Sequence, residues 1–194
     1  MRPVSSDTRK QAQQAAAALL GCLESLTIPV DIDLVLRRGL GLRWKYAELP
    51  RYAGCGTLLM TGQEGLILVD YRLSGPGQTA RRRFTIAHEA GHAVLHRDRL
   101  LRAIRPSNPA EAFALEREAD AFAAALLMPA SAFAAQVRLL SRYGNGRGSL
   151  SLADQLAKRF AVSHTAARRR LAELGWPLRE DNAFDCPRAS GTAP

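Results

Sequence analysis

Residues 88–92 read His-Glu-Ala-Gly-His, which sets two imidazoles and a carboxylate within five positions. On a helix, residues i and i+4 lie on one face, about one turn apart. His88 and His92 can therefore aim both rings at one metal ion. Glu89 sits beside them as a carboxylate able to take a proton from water, the division of labour needed for metal-assisted peptide hydrolysis. The bare H-E-x-x-H pattern also occurs by chance on surface helices, so its flanks matter. Thr85-Ile86-Ala87 precede it and Ala93-Val94-Leu95 follow, with no acidic or basic residue other than Glu89 and the two histidines between Thr85 and Leu95. A helix this apolar is mostly buried, and buried imidazoles need partners, which a metal ion supplies.

A catalytic zinc site keeps three protein ligands and one open position. His96 continues the i+4 series, but eight residues of helix span about 12 Å, whereas a zinc–nitrogen bond is about 2 Å. The metzincin spacing fails as well, because the position six after His92 is Asp98. His96 is expected to be a helix-end histidine that meets the last carbonyls or shapes the cleft. The acidic choices downstream are Glu111, Glu116, Glu118 and Asp120, on a helix stopped by Pro129. Glu116 and Asp120 share a face with Ala119 and Ala123, which are small enough to admit another helix. Glu118 points roughly 200° away from Glu116, so Glu118 and Glu111 read as solvated. Glu116 is the expected third ligand, and Asp120 the acceptor that orients a ligand histidine. An oxyanion donor is also expected. Tyr143, His96 and Arg147 are its candidates, placed in or near loops that can face the cleft.

With both motifs in hand, the run TIAHEAGHAVLH followed by EREADAFAAALLMP resembles the ImmA/IrrE family of zinc metallopeptidases. Arg81-Arg82-Arg83-Phe84 is similar to that family's lead-in, and H-E-x-x-H followed by Glu-x-x-x-Asp is similar to the gluzincin order. The resemblance spans about residues 27 to 176. It implies a zincin-like core with one catalytic Zn2+, held by His88, His92 and Glu116 with Glu89 as the base. Mn2+ or Fe2+ also suits such donors. It further implies a narrow protein substrate, a helix-turn-helix transcriptional repressor of stress or mobile-element genes, whose cleavage would derepress them.

The elements that must position these residues follow from patterning. The chain reads as α+β, mostly helical, with a small antiparallel sheet against the active-site helix. Helices are expected over 8–26, 31–38, 79–96, 109–127 and 130–141, with a strand at 42–46. Thr57–Met60 and Leu66–Tyr71 flank a turn-rich segment and read as a hairpin, whose edge strand is suited to receive a substrate in extended form. A Gly-rich break follows Tyr143. Residues 151–175 have helix-turn-helix spacing, with Ser163 as the N-cap of a second helix carrying Arg168, Arg169 and Arg170. The expected organisation is an N-terminal helix (1–28), the metallopeptidase core (29–142), the helix-turn-helix-like segment (149–177) and a disordered tail (178–194).

Composition adds bounds. The chain has 194 residues and a formal net charge of +9. Arginine accounts for most of the basic residues, a bias that often reflects genomic base composition and carries little functional weight, while the net positive charge is compatible with acidic partners or nucleic acid. Three widely spaced cysteines with no C-x-x-C suit a reduced cytosol rather than a disulfide scaffold. The short apolar run before Cys22 is too brief for a signal peptide, and no stretch reaches the roughly 20 apolar residues of a membrane span. A cytoplasmic protein without a membrane role is expected. The competing function is a non-proteolytic regulator: residues 151–175 would bind DNA, or the chain would sequester a repressor. Arginines on a recognition helix suit phosphates and guanine edges, but packing of the helical pair on the peptidase core is favoured, since a binding module has no need of Glu89.

Overall fold

The structure, a computed structural model, describes residues 6–23, 25–51, 54–61, 64–102, 105–143 and 151–176. Helix α1 (Ser6–Gly21) stops at its glycine, short of the expected residue 26. Helix α2 (Ile32–Leu34) starts where the Asp31 side chain accepts from the Leu34 N–H, and it continues as a π-helical turn over Val35–Leu40. Gly41 closes that turn in the left-handed region, with φ of 65°.

Three strands follow: β1 (Leu42–Ala47), β2 (Gly56–Thr61) and β3 (Glu64–Asp70), in the order β1-β3-β2. β2 and β3 form the expected antiparallel pair, with Gly56 opposite Val69 and Thr61 opposite Glu64. β1 joins β3 in parallel, Leu42 opposite Gly65, so the sheet is mixed rather than antiparallel throughout. Apolar alternation identifies a strand but carries no information about its neighbour, which is why the sequence missed this pairing. Among the described residues no strand pairs with the outer edge of β2.

The remaining helices are α3 (Thr79–Leu95), α4 (Arg97–Leu101), α5 (Pro109–Leu127), α6 (Ala130–Tyr143), α7 (Leu152–Phe160) and α8 (His164–Glu173). α3 is the central element, packed against α5, against β2 and β3, and against α1. Its Ile86, Ala87 and Ala90 join Ile67 and Val69 of β3 and Phe122, Ala123 and Leu126 of α5 in one core. This burial is why the motif's flanks are apolar. The three arginines before the motif fasten the start of α3: Arg81 to the Cys55 Sγ at 3.3 Å, Arg82 to the Leu73 carbonyl at 2.8 Å and Arg83 to the Val30 carbonyl at 2.7 Å.

α3 and α5 touch closely at Gly91. A Cβ there would lie 3.1 Å from the Ala119 Cα and 3.2 Å from both the Ala119 carbonyl oxygen and the Phe122 ring. Those neighbours are backbone and buried aromatic, which yield poorly. Overpacking costs about 1–3 kcal/mol, more than the roughly 0.5–1 kcal/mol that alanine gains over glycine in a helix. Gly91→Ala is therefore expected to lower the unfolding free energy by about 1 kcal/mol or more, read by urea denaturation. It should also weaken metal binding, because the two helices carry opposite halves of the site.

α7 and α8 pack back on the helical core. Ser151 and Asp154 form a capping box at the start of α7, Ala161 turns the chain with φ of 50°, and the Ser163 side chain caps α8. Phe160 meets Phe133 of α6 with ring centroids 5.2 Å apart. Arg170 is buried, donates to the Met128 carbonyl at 3.0 Å and pairs with Glu173 at 3.2 Å. It thus satisfies a buried carbonyl at the C-terminal end of α5. Arg168 and Arg169 face solvent. The Gly-rich break and the tail from 178 onward lie outside the described residues. Among the described residues no single helix is long and apolar enough to cross a membrane.

Candidate metal centre

α3 and α5 meet across the site, with Asp120 against His88 and Glu116 against both His88 and His92. The His88 and His92 Nε2 atoms are 3.1 Å apart. Glu116 closes the group, Oε2 lying 3.1 Å from the His88 Nε2 and Oε1 lying 3.4 Å from the His92 Nε2. One donor atom from each residue lies within 4.8 Å of the others. A tetrahedral ion with bonds of about 2.0–2.1 Å sets neighbouring donor atoms about 3.3 Å apart, so the three side chains fit a metal as they stand. Both histidines are largely buried, while the Glu116 side chain is 59% exposed, so the site opens to solvent on the α5 side.

The His88 Nδ1 lies 2.9 Å from the Asp120 Oδ1. This contact places the proton on Nδ1 and leaves Nε2 as the donor atom. Burial opposes a charge on His88, yet the hydrogen bonds to Asp120 and Glu116 outweigh it and push its pKa up to about 10. Hydrogen bonds from His88 and then His92 hold the Glu116 carboxyl well below the usual carboxylate range. The metal-free protein therefore keeps a proton on His88 below about pH 10, and a metal must displace it. Zinc binding near pH 7 to 8 is expected to release about one proton and to tighten as pH rises. Calorimetry in buffers of different ionisation enthalpy reads this directly; equal heats would contradict it.

Glu89 is not one of the three converging donors; its carboxylate lies against the start of β2. Burial pushes its carboxyl pKa up, the charges of His88 and His92 pull it back, and Glu116 raises it further. A carboxylate so raised is a stronger base at neutral pH. Beside it lies a residue that sequence reasoning did not single out. A Cβ on Gly56, the first residue of β2, would lie 3.0 Å from the Glu89 Oε1 and 2.5 Å from the Thr85 Cγ2. Only a glycine lets the strand start against Glu89, and no local pattern announces such an approach.

Three expectations need correction. His96 neither meets the last carbonyls through its ring nor offers an oxyanion donor. It is 6% exposed, and its two ring nitrogens are taken by the His92 Nδ1 and the Glu118 Oε2, each at 2.9 Å. Glu118 is accordingly not a solvated residue: the rotation argument treated its helix alone, whereas His96 sits past the end of α3, with φ of −122° and ψ of 18°, where its ring reaches Glu118. Glu111 is likewise engaged, accepting from the Ser107 N–H and pairing with Arg99 at 2.8 Å. Of the other oxyanion candidates, Tyr143 is the last residue of α6, and Arg147 lies outside the described residues.

Two imidazoles from one helix and a carboxylate from a second, with an uncommitted carboxylate alongside, are the donor set of the H-E-x-x-H metallopeptidases. Residues 64–172 match the IrrE N-terminal-like domain, Peptidase_M78, and the chain belongs to that family. The match takes in every side chain of the centre. Among solved structures the chain is similar to a Mycobacterium tuberculosis transcriptional regulator, at 20% identity and a TM-score of 0.56. That similarity covers 92% of this chain and 59% of the other, so this chain spans about three-fifths of that protein's length, and the likeness is one of fold. No curated protein matches the chain significantly.

Proposed function

We propose that the protein is a zinc-dependent endopeptidase acting on a helix-turn-helix transcriptional repressor, and that cleavage switches on the genes the repressor silences. The observation that supports the chemistry best is the spacing of the His88, His92 and Glu116 donor atoms at 3.1 and 3.4 Å with Glu89 beside them. Zinc held there supplies Lewis-acid charge that lowers the pKa of water and polarises a carbonyl. Glu89 takes the proton from the attacking water and returns it to the leaving amine. Asp120 holds the His88 ring in the tautomer that binds through Nε2. The outer edge of β2, which pairs with no strand among the described residues, offers N–H and C=O groups to an extended peptide. Its first residue abuts Glu89, so a peptide paired to that edge passes the base.

The repressor as substrate rests on the family resemblance. The competing reading draws on α8, where Arg168 and Arg169 are exposed. The test is incubation of the zinc-loaded protein with helix-turn-helix repressors of the same genome, followed by mass spectrometry. Fragments that vanish with chelation support proteolysis. An intact repressor bound tightly favours sequestration, and binding to DNA that weakens steeply with salt favours the DNA-binding regulator.

A further inference from the structure

The sequence places a third histidine one helical turn beyond the motif, and no step of peptide hydrolysis calls on it. Its partners define what it does. His92 faces the centre through Nε2, which is 3.1 Å from the His88 Nε2 and 3.4 Å from the Glu116 Oε1. A ring that gives its Nε2 lone pair to a metal, and is neutral, carries its proton on Nδ1. That Nδ1 lies 2.9 Å from the His96 Nδ1. His92 is then the donor and His96 the acceptor. A neutral His96 that accepts at Nδ1 has its own proton on Nε2, and its Nε2 lies 2.9 Å from the Glu118 Oε2. Each link has one donor and one acceptor. The opposite assignment leaves a bare His96 Nε2 against a carboxylate oxygen, two acceptors at hydrogen-bond distance.

We infer that His96 and Glu118 form a positioning relay for the metal centre, in which Glu118 fixes the His96 tautomer and His96 orients His92 toward the ion. This inference rests on the reading of His92 as a metal ligand. The relay is the counterpart of Asp120 on the other ligand, with one difference. His88 meets its carboxylate directly, and that carboxylate is 57% exposed. His92 meets its carboxylate through a second ring, and here His96 is 6% and Glu118 29% exposed. The interposed imidazole is needed because the His92 Nδ1 faces His96 at the C-terminal end of α3, where no carboxylate of α5 lies close enough to bond it directly among the described residues. A buried, geometrically fixed acceptor constrains ring rotation more than a solvated one.

The test compares zinc affinity, by competition with a chromogenic chelator, for the wild type, His96→Phe, His96→Asn and Glu118→Gln. Phenylalanine keeps a ring but offers no acceptor, and it should weaken zinc binding about 10- to 100-fold. Asparagine returns an acceptor oxygen near the place of Nδ1 and should recover most of that loss. Glutamine at 118 can still accept from His96 and should fall between. Long-range proton–nitrogen NMR of the zinc-loaded wild type should show His92 protonated at Nδ1 and His96 at Nε2, a readout that stands even if a variant fails to fold. A His96→Phe variant that binds zinc within about threefold of the wild type, or a His96 protonated at Nδ1, overturns the relay and leaves the metal centre intact. A wild type that binds no zinc overturns both, so the two failures are told apart.

Discussion

Glu89→Gln is expected to bind zinc as the wild type does while its peptide hydrolysis falls by about 10²–10⁴-fold, the usual contribution of a general base. Glu89 follows His88 in the chain, so its side chain projects about 100° around α3 from the metal-facing side, toward the start of β2 at Gly56. It is not among the three donors that converge. Glutamine is nearly isosteric and can still hydrogen-bond, so the space against Gly56 and Thr85 is unchanged. What disappears is a lone pair basic enough to take a proton. The raised pKa of Glu89, set first by burial, makes the loss larger than it would be for a solvated carboxylate. Zinc content is read by elemental analysis and turnover by repressor fragments. A variant that loses zinc would make Glu89 a ligand, and one that keeps full turnover would leave the base elsewhere.

How far the sequence led can be judged from these same residues. His88, His92, Glu116 and Asp120 were legible because each pair is spaced i, i+4 on a helix, and helical periodicity puts such pairs on one face whatever the rest of the chain does. The small residues Ala119 and Ala123 likewise signalled that another helix approaches, and the structure places Ala119 against Gly91 of α3. The hidden features are those that depend on a second element. Glu118 was assigned to water from the rotation of α5 alone, but its partner His96 has left α3 by the time it reaches it. Gly56 looks like any strand-edge glycine until β2 is laid against Glu89. Arg170 sits in an arginine run that suggested a nucleic-acid surface, and the packing of α8 takes it inside to the Met128 carbonyl. β1 reads as a strand, but its parallel partner β3 is a matter of topology that local pattern does not carry.

Glu116→Ala should abolish stoichiometric zinc binding, whereas Asp120→Asn should only weaken it, by about 10- to 100-fold. The contrast follows from what each carboxylate touches. Glu116 brings its two oxygens within 3.1 and 3.4 Å of the two imidazole donor atoms, so among the described residues it is the acidic group shared by the pair. Asp120 contacts the far nitrogen of His88 alone. Removing Glu116 strips a negative donor and leaves two neutral rings, which are too few for a catalytic zinc site. Asparagine at 120 still accepts from the His88 Nδ1 and keeps the ring in place. Thermal unfolding provides the second readout. Zinc at about a thousand times its Kd stabilises a folded protein by about 4.1 kcal/mol, so the wild type should show a large zinc-dependent rise in Tm, Asp120→Asn the same rise at higher zinc, and Glu116→Ala none. Should Glu116→Ala retain one zinc and the full thermal shift, the third ligand is another carboxylate of α5, and the pairing of α3 with α5 would have to be redrawn around it.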